Sequence, residues 1–239
     1  MRSAARAPWR FSHRGQNPGP LTLREILDSG RCPAKGRIAA GAAIVTVSTN
    51  VLTAGKIKFT PDLPRRQFEA ASRLRLGSYD RIALELPDNP LALRTDEPVF
   101  EKSNGTRTGA ILANISGSTL CTVDVAGNFG RDLAAKGTPE MIDFALQWLS
   151  DLYGTDMKKA VKRSHATRWN AEPWVLGAFS AAAPGGQASR RVLMEPLNNR
   201  LWFAGEAVHE TLWGTVGGAW ESGERAADAV MRPAGGRRA

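Results

Sequence analysis

Several features that usually make a function easy to read are missing or scarce in this chain. Its 239 residues include two cysteines, Cys32 and Cys121, at no metal or redox spacing. That excludes a disulfide framework and makes a reduced, cytoplasmic protein the default expectation. The three histidines, His13, His165 and His209, are scattered, so no metal site is expected and each reads as a surface or loop residue. No apolar run approaches the roughly 18 residues of a membrane span. Nor is there the apolar core, about seven residues or longer, of a secretory signal.

What is abundant is positive charge, a formal +9 with a sequence pI near 10.1. Its distribution argues against a nucleic-acid partner. Residues 1–40 hold eight Lys or Arg against Glu25 and Asp28, and Arg232, Arg237 and Arg238 close the chain. Together these account for the whole excess, leaving residues 41–231 neutral. Basic tails on a neutral body are weaker evidence for a polyanion than a basic face on the fold. Residues 1–36, rich in Arg, Pro, Gly and Ala, read as a disordered or misassigned leader, with one short helix possible over Leu21–Asp28. Residues 232–239 read as a basic tail.

With 42% hydrophobic and 23% charged residues, the remainder suits one globular unit or two small ones. Ala42–Ser48 predicts a buried strand and Lys56–Thr60 a short edge strand. Pro61 to Pro64 introduces a helix over about Arg65–Arg75. Arg81–Leu86, Gly109–Ser116 and Leu120–Ala126 predict three strands, and Val161–Trp169 another. Thr138-Pro139-Glu140 predicts a helix start with Thr138 as N-cap. Behind it Ile142, Ala145, Leu146, Leu149 and Tyr153 form an apolar stripe, and Gly154 is the stop. The pattern is α/β, of mixed α+β character.

The most informative stretch is Leu201–Gly223, LWFAGEAVHETLWGTVGGAWESG. An apolar strand, Leu201–Ala204, delivers Gly205 and Glu206 to its carboxyl end, where α/β sheets place ligands. Gly214-Thr215-Val216-Gly217-Gly218 then leads into a helix over Ala219–Met231. A glycine-flanked helix start offers free N–H groups and positive dipole to a group that gains negative charge. A plain turn before a small-residue core helix reads equally well from spacing alone.

This stretch resembles the C-terminal segment of the FAD-dependent amine oxidases, of the monoamine and polyamine oxidase kind. Two further blocks follow in the family's order. Ala42–Leu86 is similar to its middle, with a VL-x-x-G-x-I-x-F-x-P-x-LP pattern, and Arg168–Gly185, RWNAEPWVLGAFSAAAPG, to its RW-x-x-(D/E)P segment. The resemblance spans roughly Arg37–Met231. It implies a substrate-binding region over about residues 56–190, and parts of a Rossmann-like FAD domain over 37–55 and 191–231.

The resemblance further implies FAD as cofactor, a small-molecule amine as substrate, hydride transfer from the carbon beside the nitrogen to flavin, and reoxidation by O2 to hydrogen peroxide. Glu206 matches an acid near the ribityl–phosphate portion. Gly205, Gly214, Thr215, Val216 and Ala219 line the flavin end, Thr215 and Val216 by their backbone. Trp169 matches a Trp beside the flavin, the alternative being a core Trp. Phe179 stands where many members carry a Tyr wall of an aromatic cage, and Trp213 at or beside the second wall. Arg81 falls where much of the family has a Lys linked through water to the flavin, and a surface charge on a strand edge reads equally well. Arg is no simple substitute for Lys as a point donor.

One family feature is missing from the sequence. No strand leads into G-x-G-x-x-G with an acid about 20 residues on, the grip on the ADP half of a dinucleotide. The expectation is therefore a truncated homologue, either a fragment of such an enzyme or one completed by a separate N-terminal FAD-domain chain or a homo-oligomer. The alternative is a non-catalytic interaction domain of the same ancestry.

Overall fold

The computed structural model describes residues 40–102, 105–154 and 156–232. The expected leader, Cys32, the possible Leu21–Asp28 helix and most of the basic tail lie outside them. In chain order the elements are β1 (Ala43–Val45), α1 (Thr49–Thr53), α2 (Arg65–Ser72), β2 (Leu74–Leu76), β3 (Tyr79–Glu85), β4 (Glu97–Phe100), β5 (Ala110–Ala113) and β6 (Leu120–Ala126). Then come α3 (Gly127–Lys136), α4 (Thr138–Tyr153), α5 (Met157–Ala160), β7 (Arg163–Ala166), β8 (Ser180–Ala182), α6 (Ser189–Met194), β9 (Leu201–Phe203) and α7 (Val216–Met231). They divide into two compact units, residues 77–178 and the described residues on either side of them. Among the described residues, no helix is long and apolar enough to cross a membrane.

In the unit of residues 40–76 and 179–232, β1 pairs in parallel with β9 and β2 antiparallel with β8. β9 is buried along its whole length because apolar groups cover both its faces. Leu201 and Phe203 join Val45, Leu52, Phe59, Leu74 and Leu193 in one core. Trp202 and Ala204 pack instead against Ala226 and Val230 of α7. The expected strand over Ala42–Ser48 is cut short because the Ser48 hydroxyl accepts the Val51 N–H and starts α1. No strand forms over Lys56–Thr60, which follows the turn at Gly55. The helix begun after Pro64 stops at Ser72, where the chain turns into β2.

The unit of residues 77–178 holds a five-stranded sheet in the order β4-β5-β6-β3-β7, antiparallel throughout. Alternation puts Ile82, Leu84, Cys121, Val123 and Ile111 on a buried face under Leu133, Met141, Ala145 and Leu149 of α3 and α4. Tyr79, Arg81, Ala83 and Glu85 point to the other face. β3 is an interior strand, so Arg81 is not the strand-edge charge that one reading allowed. α4 carries the expected stripe and ends at Gly154, whose N–H reaches Ser150 O at 2.8 Å with φ at 67°. Thr138 is not its N-cap. Gly137 occupies that position, and Thr138 is the first helical residue with Pro139 behind it.

Candidate functional site

The FAGE strand and the glycine-rich helix start are one hydrogen-bonded assembly, with Glu206 at its centre. One carboxylate oxygen of Glu206 accepts the Ser180 N–H at 2.8 Å. The other accepts the Ser180 hydroxyl and the Gly214 N–H, both at 2.8 Å. A single side chain thereby ties β8 to the turn before α7. Gly214 supplies its N–H from the left-handed region, with φ at 73°, which a side chain would resist.

α7 begins at Val216, three residues earlier than the sequence predicts, so Ala219 lies inside its first turn. Thr215 is its N-cap: the hydroxyl accepts the Gly218 N–H at 3.0 Å and donates to Leu212 O at 2.6 Å. A Cβ on Gly218 would fall inside the van der Waals shell of that same Leu212 carbonyl, so the loop and helix can approach only through glycine. The N–H groups of Val216 and Gly217 then remain without an acceptor among the described residues, and Val216 is 87% exposed. Two outward donors at the positive end of a sixteen-residue helix can receive an anionic or electron-gaining group.

Two residues that sequence reasoning missed brace this assembly. Ser222 is fully buried on α7; its hydroxyl accepts the Gly205 N–H at 2.8 Å and lies 2.9 Å from Gly205 O. Arg190, also fully buried, donates from one terminal nitrogen to the Ser180 hydroxyl and to Ala207 O, each at 2.8 Å. Its Nε reaches Gln187 at 3.3 Å, and its guanidinium lies 4.9 Å from the Trp213 ring centroid. Burial pulls the Arg190 pKa below the usual range, and Glu206 acts in the opposite direction. No sequence signal separates Arg190 from the exposed Arg191 beside it. Phe179 borders Gly214, and both Phe179 and Trp213 keep part of their rings exposed.

The other expected site residues belong to the 77–178 unit. Arg81 pairs with its cross-strand neighbour Asp124, Nε to carboxylate 3.2 Å, and lies beside the Tyr79 ring. Tyr79 donates its hydroxyl to the same carboxylate. The neighbouring Tyr79, then Asp124, raise the Arg81 pKa, while burial, then the Asp124 bond, raise that of Tyr79. Trp169 is partly exposed rather than a core residue. Its N–H donates at 2.9 Å to Asp80, a fully buried carboxylate that also accepts the Thr167 hydroxyl at 3.0 Å. Asp80 is a third residue that the sequence did not single out.

The model of the family described as flavin containing amine oxidoreductase matches residues 29–231. The chain is 30% identical over 200 residues to lysine-specific histone demethylase 1 homolog 3 of Arabidopsis thaliana, covering 80% of this chain and 12% of that one. It is 29% identical over 194 residues to polyamine oxidase 4 of Oryza sativa subsp. japonica, covering 80% and 39%. Cyclohexylamine oxidase from Brevibacterium oxydans IH-35A shares the fold, with a TM-score of 0.66 at 22% identity over 82% of this chain and 44% of that one. The chain thus spans less than half the length of each of these relatives. The free donors at the start of α7, beside exposed apolar rings, fit the ring end of FAD. No described segment supplies the glycine-rich grip for its adenine half. The chain belongs to the flavin-containing amine oxidoreductase family, whose cofactor is FAD.

Proposed function

We propose that this chain serves the oxidation of a small amine, with about residues 56–190 as the substrate-side region and the start of α7 as the floor for the flavin ring. The observation that carries the reading is the pair of N–H groups at Val216 and Gly217, without an acceptor among the described residues and held beside the Glu206 assembly. Bound FAD would accept a hydride from the carbon beside the amine nitrogen and return its electrons to O2 as hydrogen peroxide.

The chain's own residues supply the setting. Val216 and Gly217 donate to negative charge that develops at the ring, and fixed donors cost no reorganisation when it does. Glu206 holds Gly214, and so the turn that presents them. Gly205 and Ala219 lie at the ends of the Ser222 brace. Phe179 and Trp213 are proposed as apolar walls that exclude water from the amine. Trp169 is proposed as a flat apolar neighbour of the flavin. Arg81 is proposed as the cation near it, its charge offset by Asp124.

A second reading has its own observation. Val216 and Trp220 leave an apolar strip of α7 87% and 69% exposed. Such a strip favours a chain that works only when another chain covers it. The experiment that separates these readings is reconstitution with FAD. Flavin absorbance, a cofactor-dependent rise in Tm and amine-dependent peroxide release are expected of the purified chain under the first reading. Under the second they appear only after a separate FAD-domain chain is added. No flavin uptake in either case would overturn both.

A further inference from the structure

Arg190 is an unusual residue to bury. A fully buried guanidinium needs its charge balanced and its donors met. The first need is served at one remove. Arg190 donates to the Ser180 hydroxyl, which donates in turn to the Glu206 carboxylate, giving a chain of two 2.8 Å bonds between opposite charges. The second need is only partly met. One terminal nitrogen is committed to Ser180 and Ala207, but the other is buried without a hydrogen-bond acceptor among the described residues. The guanidinium plane instead meets the Trp213 ring at 4.9 Å, which supplies π density in place of an acceptor. Buried donors left unmet call for an explanation beyond stability, because an apolar side chain could fill the same volume at less cost.

The explanation lies in what Arg190 touches. It contacts Trp213, the residue before Gly214, and donates to Ala207 and Ser180. Glu206, the partner at the end of the relay, holds Gly214 itself. Two of its contacts, the Trp213 ring and the Ser180 hydroxyl, thus bear on the turn that starts α7. By contrast Arg191, one residue on, is exposed and pairs with Glu210 at the surface.

We infer that Arg190 is a positioning residue: its buried guanidinium fixes the face of Trp213 and, through the Ser180 hydroxyl, the carboxylate of Glu206, setting the turn from which α7 offers its free N–H groups to the flavin. This rests on the proposed flavin site. Arg190 is fully buried, so its effect is exerted through Trp213 and Glu206 and is one of geometry.

The test uses the full chain and two readouts. Without flavin, the emission of Trp213, obtained by difference from Trp213→Phe, is followed with acrylamide quenching. Arg190→Met is expected to shift that emission and raise its quenching severalfold, with Arg190→Lys intermediate and Arg66→Met unchanged. With flavin, Arg190→Met is expected to weaken FAD uptake about tenfold by titration. Ser180→Ala, which cuts only the relay, is expected to weaken uptake less while keeping the Trp213 stack. Should Arg190→Met not fold, Arg190→Lys and Ser180→Ala decide the matter. Unchanged Trp213 emission in Arg190→Lys, together with wild-type FAD uptake in both variants, overturns the inference. If the wild-type chain takes up no FAD, the flavin reading falls and the Trp213 readout still tests Arg190.

Discussion

Trp213 and Trp169 are exposed to nearly the same degree, 41% and 44%, yet they are held in opposite ways. Trp213 rests its ring on a buried cation, Arg190. Trp169 gives its backbone N–H to a buried acid, Asp80, and that bond does not involve the ring. The difference teaches what each support controls. A cation under the ring fixes the orientation of the indole plane. An acceptor under the backbone fixes where the segment runs and leaves the ring to its own rotamers.

The sharpest way to break this comparison is Asp80→Ala. It takes the acceptor from the part-buried Trp169 N–H and Thr167 hydroxyl and should cost about 2–3 kcal/mol by urea unfolding. Asp80→Asn keeps an acceptor and should cost much less. Similar losses in the two variants would show that hydrogen bonding to Trp169 is not what Asp80 contributes. Glu206→Gln comes next, at about 2 kcal/mol, because one of two accepting oxygens becomes a donor facing other donors. It should perturb Trp213 emission and leave Trp169 emission alone, as separate supports require. Ser222→Ala removes the brace on Gly205 and should cost about 1 kcal/mol, read as a fall in Tm.

The smallest effect is expected from Tyr79→Phe, under about 1 kcal/mol near neutral pH. The folded state raises the Tyr79 pKa above its ordinary value of 10.0, through burial and the bond to Asp124. The contribution should therefore be complete below pH 10 and fade as pH rises through the folded-state value. Comparing the alkaline unfolding of Tyr79→Phe with wild type checks this, since the variant should lack that part of the slope.

The parts of the fold legible in the sequence were those where one local signal dominated. The stripe and Gly154 of α4, the Leu120–Ala126 strand and the FAGE strand needed only periodicity and a stop. Thr138 misled because a Thr-Pro pair fits both Ncap–N1 and N1–N2, and Gly137 took the cap. β4 is Glu-Pro-Val-Phe, with a proline and no alternation, and it forms by pairing with β5. α3 holds two glycines, and its helix depends on packing against the sheet. At the candidate site, Glu206 could be marked by its place at the end of the FAGE strand and by the resemblance, and Gly214 and Thr215 because their residue types suit a turn before a helix. Arg190, Ser222 and Asp80 could not, since nothing local distinguishes a buried polar residue from an exposed one. Their roles depend on partners 10 to 89 positions away in the chain.

The Thr215–Leu212 bond and the bare Cα of Gly218 have a mechanical consequence. The turn and the first coil of α7 are locked to each other at two points, so neither can swing without the other. A molecule arriving there meets a stiff edge rather than a loop that must first be gathered. Little binding energy is then lost to ordering, and a methyl group at position 218 would prise that edge apart without touching the visitor.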